Sequence, residues 1–377
     1  MKSFFDPIFD RLEKQVVQCI ERDSRSIGDR FQKATLYVLS KCFQSIVNVR
    51  AYFYDRGWKK SRKAILPVVC IGNITAGGTG KTPFVNLLIQ DLKSLAKLAI
   101  ISTGYKAQGV SKYDVITPLD QYGRLVQATY CGDEPYLLKK QHPDVHVFVS
   151  KNRFLALEIA RKKELQIALL DDGFQMKSLK KDLSIILMSA DNLFGYDYYL
   201  PRGYLRESPT RLKEAQFICI TQVQGHCFDR LCEQLAPYTS AKIMGAQMVP
   251  RRIVGDRNWG LDQMKGKKLG VFCGLGNPQA YISSLEQLGA EIVATLVLND
   301  HATPSLKQWE LFSDQCQRKQ AELLLCTAKD FYKIQDIKRE LPISYLESEL
   351  TIVHGQNHYR TLKQKILQLA KQKRMKT

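Results

Sequence analysis

Long apolar runs are missing from this sequence of 377 residues. A helix that spans a membrane needs about 18 or more consecutive apolar residues. The best candidate, residues 36–49, is interrupted by Lys41 and Gln44. Charged residues also interrupt the first 20 positions, which therefore lack the pattern of a secretory signal. We expect a protein that does not cross a membrane but is able to lie on one.

Paired cysteine motifs and acidic residues are also scarce. The ten cysteines form no CxxC pair, and Cys227 and Cys232 fit no zinc spacing, so we expect reduced thiols in a cytosolic compartment. Asp and Glu number 37 against 56 Lys and Arg, which gives a net charge of +19. This excess implies an acidic partner: nucleic acid, an anionic lipid or a phosphorylated substrate.

The most informative segment that is present covers residues 66–88, LPVVCIGNITAGGTGKTPFVNLL. An apolar run leads into a glycine-rich turn and then a helical pattern, which is typical of a phosphate-binding loop. In such a loop Lys81 reaches the β- and γ-phosphates and the Thr82 hydroxyl holds Mg²⁺. The strict motif has glycine at the position of Thr75, so a glycine turn that binds nothing is the alternative. The predicted nucleotide-binding residues are Thr75, Ala76, Gly77, Gly78, Thr79, Gly80, Lys81 and Thr82.

Short apolar runs alternate with amphipathic segments of helical length after this loop. The alternation predicts an α/β fold, a P-loop NTPase-type parallel sheet covered on both faces, with a nucleotide at the carboxyl ends of its strands. A second, smaller C-terminal α/β unit is predicted from the runs at 268–278, 291–298 and 321–330. The predicted strands before it are residues 68–72, 98–103, 145–150, 167–172, 183–189 and 217–221, with helices at 151–163 and 228–235.

Residues 1–63 are predicted to form two amphipathic helices with a polar break at residues 23–30. An aromatic cluster and a basic run, residues 56–63, follow the second helix, and this combination suits an anionic bilayer surface. Packing of both helices on the core explains the pattern about equally well. The basic helix predicted at residues 361–377 fits a solvated face better than a membrane contact. The apolar stripe of the second helix is Leu36, Leu39, Phe43, Ile46 and Val47.

Two pairs of acidic residues are candidates for chemistry. Asp171 and Asp172 end an apolar run, where a carboxylate is the usual second Mg²⁺ ligand of P-loop enzymes, although Asp also caps strand ends. Asp133 and Glu134 precede Pro135. They either begin a helix or take a hydroxyl proton and hold a metal.

One histidine and three arginines complete the set of candidates. His301 follows a strand-like run and either serves the fold or orients a base. Arg202, Arg206 and Arg211 lie in a Pro- and Gly-rich segment, where arginine forks bind phosphate or face solvent. A second pair of histidines, His354 and His358, has the spacing of a helical metal site. Gly355 and Asn357 predict a loop there, so we assign it no metal.

Together these segments resemble one family, the tetraacyldisaccharide 4′-kinases, also called lipid A 4′-kinases. The matching stretches occur in the family's order from about residue 35 to about residue 335, and the family's own phosphate loop is similar to this one. They are PVVCIGNITAGGTGKTP, ISTGY, GDEPYLL, LLDDGFQ, LPRGYLRESPTRLKEA, GLGNP with the following helix, and the Asp-His pair at 300–301.

The resemblance implies an ATP-dependent kinase that phosphorylates the 4′-hydroxyl of tetraacyldisaccharide 1-phosphate and forms lipid IVA in lipid A (lipopolysaccharide) biosynthesis. It implies ATP and Mg²⁺ as cofactors and a peripheral position on the cytosolic face of the inner membrane. We expect a monomer that binds no nucleic acid. The implied roles are Asp133 as base with His301 as its partner, Lys81 on the phosphates, and Thr82, Glu134, Asp171 and Asp172 on the metal, with Arg202 and Arg206 on the substrate.

The resemblance also suggests four regions. They are an N-terminal helical membrane-associating segment (1–63), a P-loop kinase core (64–241), a linker strand (242–254), and a C-terminal α/β domain (255–377) that includes a return strand at 343–353. Two positions depart from the family pattern: Thr103 replaces the usual Arg and Ala328 replaces the usual Glu, while Lys106 is a candidate substitute for the missing Arg. The sequence leaves two alternatives to this kinase function. One is a membrane-associated P-loop NTPase or switch without a lipid acceptor, and the other is a nucleic-acid-binding ATPase.

Overall fold

The structure is a computed structural model, and it describes residues 16, 20, 27–104, 107–111, 113–275, 278–298, 304–332, 334 and 340–372. Its helices are α1 (Ile27–Asp55), α2 (Lys81–Leu92), α3 (Ala128–Cys131), α4 (Asp133–Gln141), α5 (Arg153–Lys162), α6 (Phe228–Leu235), α7 (Pro278–Gln287), α8 (Leu306–Arg318), α9 (Ala328–Phe331) and α10 (Gln356–Gln372). Its strands are β1 (Arg62–Lys63), β2 (Val68–Gly72), β3 (Leu98–Ser102), β4 (His146–Val149), β5 (Ile167–Asp171), β6 (Leu179–Lys180), β7 (Leu183–Ser189), β8 (Phe217–Thr221), β9 (Lys242–Gly255), β10 (Trp259–Gly260), β11 (Lys268–Cys273), β12 (Glu291–Val297), β13 (Leu323–Cys326) and β14 (Ile343–His354).

Residue contacts divide the chain into two compact units. The first unit comprises residues 1–81, 160–246 and 352–377, and the second comprises residues 82–159 and 247–351. The division into four regions made from the sequence stays a prediction.

The first unit contains a parallel sheet with the strand order β9, β8, β7, β2, β5. Strands β2, β5 and β8 are buried along their whole length. Burial on both faces explains why these strands are continuous apolar runs rather than alternating ones. The α/β prediction is confirmed, and the strands predicted at 68–72, 183–189 and 217–221 have the predicted bounds.

The second unit contains the parallel pair β3 and β4, and also a sheet with the order β12, β11, β13, β14, β9. The pairs β11–β12, β11–β13 and β13–β14 are parallel, which confirms the second α/β unit. One apolar cluster of this sheet is built around Phe272, Trp309 and Phe312, and another around Leu269 and Leu285.

Helix α1 is apolar on two faces. Leu36 is buried, and Phe43 and Val47 pack against the apolar cluster of the first unit. Leu39 and Ile46, predicted in the same stripe, are instead exposed, because the buried face is centred further round the helix. The opposite side, which we call the outer face of α1, consists of the exposed side chains of Phe31, Val38, Leu39, Ile46, Val49 and Tyr52.

Two local predictions were wrong. The polar break was expected to reach Arg30, but α1 already begins at Ile27 and passes through Gly28. Residues near His358 were expected to form a loop, yet α10 begins at Gln356. The reason is that Gly355, with a φ of 68°, makes the turn alone and leaves the following residues free to begin the helix. The first of the two predicted helices, which precedes the polar break at residue 23, lies almost wholly outside the described residues.

Candidate functional site

The glycine-rich turn lies between the end of β2 at Gly72 and the start of α2 at Lys81. Gly77 and Gly80 have φ values of 100° and 74°, a region in which side chains are strained. A Cβ atom at Gly80 would lie 3.0 Å from Cγ2 of Thr221. The turn therefore requires glycine at these positions for its backbone path, in addition to any close approach to a ligand.

The first half of this turn is held by the segment that carries the predicted arginines. The Ala76 amide donates to the carbonyl of Tyr204 at 2.7 Å, and the Arg206 amide donates to the carbonyl of Ile74 at 2.7 Å. Thr75 and Leu205 form an antiparallel bridge between these bonds. Residues 74–76 are therefore fixed by backbone pairing, in an extended path that does not need the glycine of the strict motif at Thr75.

Asn73 connects the turn to its surroundings, and sequence reasoning missed it. Its side chain is fully buried; Nδ2 donates to Oγ1 of Thr79 at 3.1 Å, and Oδ1 accepts from Arg206 at 3.2 Å. Its carbonyl accepts from Nε2 of Gln175 at 2.8 Å. A signal for it existed in the sequence, since an amide side chain directly after a buried strand must find hydrogen-bond partners.

Asp171 and Asp172 are at the carboxyl end of β5, as predicted. Asp171 is buried and pairs in register with Ile71 of β2, the strand that leads into the turn. Asp172 has a φ of 51°, which turns the chain away from the strand. Its carboxylate accepts from Arg206 at 3.1 Å and lies 4.0 Å from Nζ of Lys81. The structure thus brings the predicted residues Lys81, Asp172 and Arg206 together within the first unit.

The other two arginines of this segment have different surroundings. The Arg202 guanidinium lies 4.7 Å from the ring centroid of Tyr198. Arg211 is buried rather than facing solvent, and it donates to both carboxylate oxygens of Asp55 at the end of α1. It also pairs with Glu214 at 2.8 Å. Arg211 therefore ties α1 to this segment.

Two ionisable groups beside Arg211 are buried. Burial lowers the pKa of Lys177, although Glu214, 3.5 Å from its ammonium group, opposes this change. Burial raises the pKa of Glu207, which is 3% exposed. Their charged groups interact with one another and with Arg211, and the Glu207 amide donates to the carbonyl of Ile74 at 3.2 Å, so we assign them to holding this segment in place.

Asp133 and Glu134 form the first turn of α4 in the second unit. The preceding Gly132 has a φ of 95° and provides no capping side chain. Acidic side chains in a first turn are stabilised by the helix dipole, so the helix-start interpretation is correct and leaves a chemical role open. Burial raises the pKa of the neighbouring Cys131 thiol to about 11, and the charge of Asp133 acts in the same direction.

The remaining predictions are only partly covered by the described residues. His301 and Lys106 lie outside them. Ala328 begins α9, where the preceding Thr327 accepts a hydrogen bond from the amide of Asp330. Within the described ranges, no group of three or more His, Cys, Asp or Glu side chains is arranged to hold a metal ion. None of the helices described combines the length and the hydrophobicity required to span a bilayer.

Comparison with known proteins identifies similar chains over most of this length. A family model described as tetraacyldisaccharide-1-P 4′-kinase matches residues 32–367. A tetraacyldisaccharide 4′-kinase of Chlamydia abortus is 37% identical over 308 residues, 79% of this chain and 82% of the relative. That of Chlamydia trachomatis serovar D is 32% identical over 382 residues, 100% of this chain and 99% of the relative. The crystal structure of LpxK from Aquifex aeolicus in complex with ATP matches with a TM-score of 0.68 and 27% identity, over 90% of this chain and 99% of that chain.

Proposed function

The chain belongs to the tetraacyldisaccharide-1-P 4′-kinase family, and on that premise we propose that it transfers the γ-phosphoryl group of ATP to the 4′-hydroxyl of tetraacyldisaccharide 1-phosphate. It is a phosphotransferase with an alcohol acceptor, and its product is lipid IVA in lipid A biosynthesis. The observation that carries the proposal is the phosphate loop with Lys81 and Arg206 beside Asp172.

On the nucleotide side, we assign phosphate binding to residues 75–82. Backbone amides of the turn and the first turn of α2 point positive charge at phosphate oxygens. Lys81 neutralises charge on the β- and γ-phosphates, and Arg206 adds a guanidinium fork suited to a phosphate or to the acceptor's own phosphate. Arg202 is assigned to the acceptor. Its guanidinium lies over the ring of Tyr198, and this cation–π pair is suited to a sugar phosphate.

We propose the Mg²⁺ ligands from the chemistry of single side chains, because the described acidic residues are not gathered into one metal-binding group. Thr82, Glu134, Asp171 and Asp172 supply hydroxyl and carboxylate oxygens, the ligands that Mg²⁺ prefers. Asp171 lies in register with the strand that leads into the phosphate loop. Bound by these residues, Mg²⁺ would neutralise negative charge on the phosphate groups.

On the acceptor side, we assign Asp133 as the base and His301 as the group that orients it. The 4′-oxygen attacks the γ-phosphorus, the bond from that phosphorus to the bridging oxygen of ADP breaks, and the hydroxyl proton passes to Asp133. A positioned base contributes about 10²- to 10⁴-fold, so Asp133→Asn is expected to lower kcat by that factor. ATP affinity is expected to be retained, and turnover near the wild-type rate in this variant would remove the assignment.

The assay that tests the proposed function uses radiolabelled ATP with tetraacyldisaccharide 1-phosphate in detergent. The expected product carries one additional phosphate. Hydrolysis of ATP that does not require the acceptor would favour an NTPase or switch. Binding of DNA or RNA that weakens steeply with salt would favour the nucleic-acid reading of the +19 charge.

We propose that the outer face of α1 lies on the cytosolic face of the inner membrane. Val38 and Ile46 are 61% and 67% exposed, and Trp58 in the adjacent basic run is 67% exposed. Apolar and aromatic side chains beside basic ones bind anionic bilayers, at about 1 kcal/mol per basic residue near the surface.

Point substitutions test this surface better than deletion of residues 1–63, because α1 also packs into the core. Val38→Asp and Ile46→Asp are expected to reduce binding to vesicles that contain anionic lipid. Leu95→Asp, at a residue 63% exposed in the second unit, is the matched control. Equal binding by all three variants would exclude the outer face as the contact. We further propose a monomer in detergent and the four regions outlined from the sequence.

A further inference from the structure

A lysine in α4 is enclosed by aromatic rings. Nζ of Lys140 lies 3.7 Å from the ring centroid of Tyr332 and 5.9 Å from that of Tyr136. The two tyrosine rings are 6.1 Å apart in an edge-on arrangement. All three residues are half-buried and belong to the second unit. A cation over an aromatic face is attracted by the ring quadrupole, more strongly when water is displaced.

Tyr332 is held by its own neighbours and so offers a fixed platform. The centroid of its ring lies 5.4 Å from that of Phe331 and 6.1 Å from that of Tyr345. Tyr345 lies on β14, where it pairs in register with Cys326 of β13. The lysine therefore contacts an aromatic group that is anchored to a sheet rather than a free surface ring.

The helix that carries Lys140 depends on such contacts. α4 has nine residues, shorter than the about 12–15 that an isolated helix needs to be stable, and it has no side-chain N-cap. Leu138 and Lys139 are buried on one side of the helix. The Lys139 ammonium group donates to the carbonyls of Pro143 and Val145. Tyr136 and Lys140 contact Tyr332 on another side.

The side that contacts Tyr332 is the one that carries Asp133. Residues three and seven positions after Asp133 are Tyr136 and Lys140, and this spacing places all three on one helical face. A force that rotates or shifts this face moves Asp133 with it. A displacement of about 1 Å at a reacting group can cost about 100-fold in rate.

We propose that Lys140 and Tyr332 are positioning residues for phosphoryl transfer: their contact fixes the face of α4 that presents Asp133 to the acceptor hydroxyl. This inference rests on the proposed function, because it takes Asp133 as the base. Neither residue touches the reacting atoms, and the contact acts through the orientation of the helix.

The test compares kinetic constants of matched variants. Tyr332→Leu and Lys140→Met are each expected to lower kcat about tenfold, with the KM for ATP within about twofold of wild type. Tyr332→Phe and Lys140→Arg keep the ring and the cation, and are expected to retain kcat. Tyr122→Leu is the control, since Tyr122 is 73% exposed and pairs with Arg124 in a solvated cation–π contact in the same unit.

Two further measurements separate positioning from general damage. The double variant Lys140→Met/Tyr332→Leu is expected to be no slower than either single variant, because one contact is lost in all three. Amide exchange over residues 133–141 is expected to be faster in Tyr332→Leu than in Tyr332→Phe. Additive losses of kcat, a change confined to the KM for ATP, or unchanged exchange would overturn the inference.

The outcomes also distinguish this inference from the function on which it rests. A wild-type protein without lipid-dependent turnover would refute the proposed function and, with it, the role of the contact in that reaction. An active wild type and an inactive Asp133→Asn, together with full turnover by Tyr332→Leu, would refute the positioning role alone.

Discussion

Replacing Asn73 by alanine is expected to weaken ATP binding, because this buried amide holds the phosphate loop from inside. The substitution removes the donor to Thr79, at 3.1 Å, and the acceptor for Arg206, at 3.2 Å. A neutral hydrogen bond contributes about 0.5–1.5 kcal/mol and one to a charged group about 1.5–3 kcal/mol, so the change costs about 2–4.5 kcal/mol in all. The Thr79 bond acts on the loop itself. Its share corresponds to about a 2- to 12-fold rise in the Kd for ATP.

A double-mutant cycle isolates that share. Thr79→Val removes the hydroxyl that Asn73 contacts while keeping the side chain's shape. Calorimetric titration of ATP into Asn73→Ala, Thr79→Val and the double variant is expected to give a coupling of at least about 0.5 kcal/mol. Asn192→Ala is the matched control, because its amide oxygen accepts from the backbone of Tyr196 instead.

Two results would refute this reasoning about Asn73. ATP affinity within twofold of wild type in Asn73→Ala would show that backbone pairing of residues 74–76 is sufficient to hold the loop. Strictly additive effects of the two substitutions would show that the contact between Asn73 and Thr79 does not act on nucleotide binding.

Three further predictions concern the turn, the thiols and a buried histidine. Gly80→Ala is expected to lower the melting temperature, because φ is 74° there and the new Cβ would lie 3.0 Å from Thr221; an unchanged thermal shift would contradict this. Cys42 and Cys227 are exposed and are expected to react with iodoacetamide in the native protein before any buried cysteine does, as mass spectrometry after brief labelling would reveal. Burial lowers the pKa of His142 below that of an unfolded histidine, so the folded state binds fewer protons than the unfolded state. Its contribution to stability is therefore present above the unfolded pKa, about 6.5, and is lost as the pH falls below it. The melting temperature should fall less between pH 7.5 and 5.5 in His142→Asn than in wild type. An equal fall in both proteins would show that protonation of His142 does not cause the loss of stability.

Local patterns in the sequence were enough to predict the elements around the site. The apolar runs that became β2, β7 and β8 were predicted residue for residue, since strands buried on both faces need no partner information to be recognised. Lys81 and Asp172 were both selected, and the structure brings them within 4.0 Å. Turns and strand ends can be predicted from the sequence because a few neighbouring residues determine each of them.

The contacts that hold the site were not predictable in this way. Asn73 and Gln175 are separated by 102 positions, and nothing local to either indicates that they meet. The division of the apolar residues of α1 between a buried and an exposed face also depends on which neighbours pack against the helix. Leu39 fits the predicted stripe by its spacing and is exposed because the core covers the adjacent sector.

The two-faced construction of α1 has a consequence for how the protein behaves in solution. A contiguous apolar surface attracts any other apolar surface, including the same helix of a second copy. In buffer without detergent, self-association through Val38 and Ile46 would result from the exposed apolar face of this helix. A detergent micelle would cover both side chains and prevent it. The apparent molar mass should therefore vary with detergent concentration. Such a series of measurements would reflect contacts made by the exposed face of α1 rather than a defined quaternary structure.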